Sequence, residues 1–114
     1  MTVNFCIPGP PVAKERPRRG KNGQWYTPTR TRHYEALAAR CGLVARHLRG
    51  HGPYRVELAV YLPTRWRIDI DNIAKVVADG LNGVVWDDDS EITELYVHKH
   101  LDREHPRVEV TVTC

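Results

Sequence analysis

A chain of 114 residues with a formal charge of +3 has the length of a single domain, 1–114. It has no run near the roughly 18 apolar residues of a membrane span and no charged-then-apolar leader. Cys6, Cys41 and Cys114 are odd in number and widely spaced, which argues against a secreted disulfide framework and for a cytoplasmic protein. The net charge conceals an asymmetry: residues 1–67 carry +10 and residues 68–114 carry −7. A basic half attracts a polyanion, and an acidic patch beside it repels one unless cations neutralise the patch.

In chain order, Val3, Phe5 and Ile7 alternate with polar residues as in a half-buried strand, which Pro8-Gly9-Pro10-Pro11 ends. Residues 9–27 read as a long polar loop carrying Lys14, Arg16, Arg18, Arg19 and Lys21, a length that inside a compact domain signals function or disorder. Such cations suit phosphate contacts, and a flexible solubilising loop is the bland alternative. Trp25 and Tyr26 in the same loop suit either base stacking or anchoring in the core.

Thr27-Pro28 offers a helix start, with Thr29 and Thr31 as alternatives. Tyr34, Leu37, Ala38, Cys41, Ala45 and Leu48 continue at helical spacing to Gly50 and Gly52. Tyr54, Val56, Leu58, Val60 and Leu62 alternate as a second strand. A second helix is expected over 72–81, with Ile73, Val76, Val77, Gly80 and Leu81 inward and Lys75, Asp79 and Asn82 on its polar side. Val84-Val85-Trp86 reads as a short strand, a further strand is expected near 94–100, and Val108, Val110 and Val112 mark the last. The order β-α-β-α-β-β predicts an α+β fold with a mixed sheet of four or more strands and two helices.

Two acidic clusters flank the second helix: Asp69 and Asp71 before it, and Asp87, Asp88 and Asp89 after it. Lys75 lies four residues from Asp71 on the same helix edge. Carboxylates 4–5 Å apart repel by roughly 3–4 kcal/mol at an effective dielectric of about 20, so such a cluster calls for a cation. Oxygen-only ligands suit Mg2+ or Mn2+ better than zinc. This points to metal-assisted phosphoryl transfer, with helix capping and a solvated turn as the structural alternative. A D-x-D pair alone also occurs in sugar-nucleotide transferases and calcium loops. His98, His100 and His105 lack zinc-site spacing. No G-x-S-x-G, Walker A or Cys-x-x-Cys pattern supports serine hydrolase, NTPase or thiol-redox chemistry.

The blocks Ile68-Asp69-Ile70-Asp71-Asn72-Ile73-Ala74-Lys75, Asp79-Gly80-Leu81-Asn82-Gly83 and Trp86-Asp87-Asp88-Asp89-Ser90-Glu91-Ile92 together resemble the RusA family of Holliday junction resolvases. The segment from Ile7 to Arg18, with Tyr26-Thr27-Pro28 and Tyr34-Glu35, is similar to the front of its phage-type members. The resemblance implies a homodimeric, Mg2+-dependent endonuclease, bacterial or phage-encoded, that resolves four-way DNA junctions by paired symmetric nicks. A non-catalytic branched-DNA-binding protein of the same fold is the alternative. Carried over by position, Asp69, Asp71 and Asp89 match the essential carboxylates and Lys75 the essential lysine, with Asp88 a further metal ligand. Lys14, Arg16, Arg18, Arg19, Lys21, Arg65 and Arg67 are the expected DNA contacts. Where some members have Arg directly before the first aspartate, this chain has Ile68, with Arg65 and Arg67 nearby.

Overall fold

Alternation governs the sheet. Tyr54, Val56, Leu58, Val60 and Leu62 are all buried on strand β4 (Tyr54–Leu62), and Val108, Val110 and Val112 on β6 (Arg107–Thr113). These inward residues face two helices, α1 (Thr29–Gly42) and α2 (Ile70–Leu81). The computed structural model describes residues 1–65 and 68–114. Strand β1 (Thr2–Pro8) pairs antiparallel with β6, β6 antiparallel with β4, and β4 parallel with β5 (Ile92–Leu101), giving the sheet order β1-β6-β4-β5. The parallel pair requires a crossover, and α2 is that crossover. The α+β fold with a mixed four-stranded sheet and two helices is therefore as expected. No helix among the described residues is long and apolar enough to cross a membrane.

Four local expectations need correction. Residues 9–27 are not a featureless loop. Pro11 is buried and Val12–Glu15 half-buried, and a small hairpin follows, pairing β2 (Arg18–Arg19) with β3 (Trp25–Tyr26). The first helix starts at Thr29 with Pro28 at its N-cap, and its α-helical part stops at Gly42. Leu43–Leu48 continues as a 3-10 turn that still buries Ala45 and Leu48, so the apolar spacing survives the change of winding. The second helix begins two residues early, at Ile70, which places Asp69 rather than Asp71 at its N-cap. Val84-Val85-Trp86 is not a strand: Val84 and Val85 lie in a turn, their N–H groups both bonding the Leu81 carbonyl, and Trp86 closes it through an isolated bridge to Asn82, with the Gly83 N–H bonding the Trp86 carbonyl at 2.7 Å. Its apolarity is explained by burial, since Val85 and Trp86 are fully enclosed.

Candidate active site on the crossover helix

The apolar stripe of α2 faces inward, leaving Asp71, Lys75 and Asp79 at successive four-residue steps along one edge. Lys75 Nζ lies 3.2 Å from Asp79 Oδ1 and 3.6 Å from Asp89 Oδ2. The hydrogen bond to Asp79, reinforced by the charges of Asp79 and Asp89, raises the Lys75 pKa above the ordinary lysine value. The other Asp79 oxygen receives Lys14, whose Nζ is 3.2 Å from Asp79 Oδ2 and 3.2 Å from Glu35 Oε2. Charges thus alternate in a row: Glu35, Lys14, Asp79, Lys75, Asp89. Asp79 is its hub, with about four-fifths of its side chain shielded from water.

Residues 82–91 return the chain to this row. Gly83 turns with φ near +80°, a conformation that favours glycine. The Trp86 indole N–H donates to the Ala78 carbonyl at 3.3 Å, pinning the turn to the end of α2. Arg49 grips it from outside, donating to Asp87 Oδ1 at 2.6 Å and to the Gly83 carbonyl at 2.7 Å.

The three consecutive acids are thereby given separate surroundings. Asp87 is held by Arg49. Asp88 caps the short turn Asp89–Glu91: its carboxylate accepts the Ser90 N–H at 3.0 Å, while the Glu91 carboxylate accepts the N–H groups of Asp87 and Asp88. That Ser90 contact holds the Asp88 pKa below the usual carboxylate range. Asp89 alone of the three reaches Lys75.

Asp71, Lys75 and Asp89 line one depression of about 300 Å³, floored by Ala74, Ala78 and Leu95. Asp71 Oδ1 accepts the Asn72 N–H at 3.0 Å. Asp69 is exposed at the N-cap, and its side chain makes no capping bond. Of the four expected metal ligands, then, Asp71 and Asp89 share the depression, Asp69 sits at the helix start, and Asp88 is turned to Ser90. Among the described residues, no three His, Cys, Asp or Glu side chains converge closely enough to hold a metal ion. Two hard oxygen donors still fit Mg2+, which keeps several waters and is commonly held by one or two carboxylates plus substrate phosphate.

The basic residues divide into two groups. Lys14 is half-buried and committed to Glu35 and Asp79, whereas Arg16, Arg18, Arg19, Lys21 and Arg65 are exposed. Arg67 lies outside the described residues. Sequence reasoning missed the roles of Asp79 and Glu35. For Asp79 a signal existed, because it stands four residues beyond Lys75. Glu35, on another helix, entered only as part of the Tyr34-Glu35 resemblance, with no role attached.

Comparison with known proteins shows the family. The model of the family Endodeoxyribonuclease RusA matches residues 8–113. The chain is also 30% identical, over 138 residues, to the uncharacterized protein YqaN of Bacillus subtilis (strain 168), covering 96% of this chain and 94% of that one. Nearly every element described here, from the end of β1 to β6, lies inside the matched region, and the chain belongs to the RusA endodeoxyribonuclease family.

Proposed function

We propose that this chain is a Mg2+-dependent, structure-specific endodeoxyribonuclease that resolves four-way DNA junctions by paired nicks, working as a homodimer. The observation that carries the reading is the shared depression of Asp71, Lys75 and Asp89, formed by one edge of α2 and the turn that follows it. Asp71 and Asp89, with Asp69 at the helix start, would hold the ion, Mn2+ being an alternative to Mg2+. Bound there, the ion supplies charge stabilisation at the scissile phosphate and a more acidic attacking water. Lys75 orients Asp89 and offers a positive charge to the phosphate. Asp79 fixes the Lys75 ammonium from one side. Arg16, Arg18, Arg19, Lys21 and Arg65 face solvent and supply backbone contacts. A two-fold dimer presents identical sites to the two symmetry-related strands of a junction.

The test is cleavage of labelled four-way junctions by wild type, by Asp71→Asn and by mixed dimers, with Mg2+ and with EDTA. Asp71→Asn removes a ligand charge at constant size and should abolish cleavage while retaining fold and junction binding. Mixed dimers should nick one strand only. Full Mg2+-dependent cleavage by the variant would overturn the site.

A further inference from the structure

We propose that the β2–β3 hairpin is a branch-point reader, in which Trp25 stacks on a base face exposed where DNA arms meet and Arg19 holds the adjoining phosphate. This rests on the branched-DNA reading above and adds the residue that tells a branch point from continuous duplex.

The root of the hairpin is fixed beside the acidic row. The Lys14 N–H donates to the Asn72 carbonyl at 3.0 Å, one residue from Asp71, while the Lys14 ammonium bridges Glu35 and Asp79. The Glu15 N–H reaches Thr31 Oγ1 at 3.4 Å. Strands of two residues have little stability of their own, so this anchorage sets where the tip lies. The turn has its own bonds: the Gly20 N–H donates to the Gln24 carbonyl at 2.7 Å, and the Gly23 N–H to the Gly20 carbonyl at 3.0 Å. Gly23 has φ near +81°.

Directly opposed residues of an antiparallel pair share a face. Arg19 opposes Trp25, and Arg18 opposes Tyr26, so each face carries one guanidinium and one aromatic ring. The two faces are not equivalent, because Arg18 is tied to Glu15 at 3.3 Å. The Arg19 side chain meets no carboxylate among the described residues and lies over Gly23. Trp25 beside it is 70% exposed, whereas Trp86 in the core is fully buried. The core therefore does not claim Trp25. An aromatic ring next to an uncommitted cation is the combination that binds unpaired nucleotides: the ring takes the base and the cation takes the phosphate. Continuous duplex offers phosphates but no free base face, so only branched or unpaired DNA satisfies both groups.

The experiment measures binding in EDTA, where no cleavage occurs, to a four-way junction and to a linear duplex, with 2-aminopurine at the exchange point. Wild type should prefer the junction and quench the 2-aminopurine. Trp25→Ala should lose roughly 5- to 150-fold in junction affinity, lose the quenching, and change duplex affinity less than two-fold. Trp25→Phe should keep most of both. Arg19→Ala should weaken binding to both substrates. Unchanged junction preference in Trp25→Ala overturns the stacking role alone. Equal losses on both substrates also overturn it, as does a fall to monomer mass, which would place Trp25 between copies of the chain. If wild type itself shows no junction preference, the branched-DNA reading has failed and this proposal falls with it.

Discussion

Replacing Lys14 by Met removes a cation that joins the long basic segment to both helices. Its ammonium stands 3.2 Å from Glu35 on α1 and 3.2 Å from Asp79 on α2, and each of the three side chains is about one-fifth exposed. Hydrogen bonds to charged groups contribute about 1.5–3 kcal/mol when shielded, and exposed ion pairs less than about 1 kcal/mol. Partial exposure, and two carboxylates sharing one ammonium, place the expected loss near 2 kcal/mol. In a domain of this length that corresponds to a fall in Tm of about 8 °C. Thermal denaturation followed by circular dichroism measures it, and a double-mutant cycle with Asp79→Asn should show coupling of at least about 1 kcal/mol. The salt dependence of DNA binding should keep its slope in Lys14→Met. A change in Tm below about 2 °C would refute the strut. So would a log–log salt slope reduced by about 0.9, the loss expected for one phosphate contact.

Two further outcomes follow from the packing around the site. A Cβ at Gly80 would come within 2.8 Å of the Glu35 carbonyl oxygen and 3.1 Å of Ala38 Cβ, so Gly80→Ala must push α1 and α2 apart. Overpacking of about 1–3 kcal/mol, set against a helix-propensity gain of about 1 kcal/mol, predicts a net loss in urea denaturation; equal or greater stability would show that the helices yield freely. Asp88 has a folded-state pKa below its ordinary value, so its cap stabilises above the ordinary carboxylate range and is lost as pH falls through it. Asp88→Ala should therefore have a lower Tm than wild type near pH 7, with the gap closing as pH falls below the ordinary carboxylate range; a gap independent of pH would exclude the carboxylate as its cause.

The parts of the fold with a long apolar period were legible in the sequence. The five inward residues of β4 and the three valines of β6 alternate without interruption, and each is buried as its spacing demands. The stripe of α2 fixed its inward face, and therefore the edge that carries Asp71 and Lys75. The hairpin was hidden because strands of two residues have no period to detect. The winding change after Gly42 was hidden because Ala45 and Leu48 satisfy the core from a 3-10 turn as well as from an α-helix. A Cβ at Gly42 would require the buried Leu81 side chain to shift, a constraint between helices that no local pattern encodes. At the site, the acidic clusters could be read directly. Their partition could not, because it depends on Arg49 reaching Asp87 across 38 residues.

Strand β5 ends the sheet, and no described strand bonds its outer side. Ten residues of such backbone, with Leu95, Tyr96 and Leu101 each nearly half exposed, form a template on which another chain can add. The sequence tempers this with Glu94, His98, Lys99 and His100, which break the apolar run. Lys99 donates to the Ile68 carbonyl at 3.0 Å, laying a charged side chain toward the start of α2. His98 is bonded to Glu57 on the neighbouring strand at 3.2 Å. The strand that floors the acidic depression is thus also an open border of the sheet, and apolar replacements at His98, Lys99 or His100 would favour strand addition there.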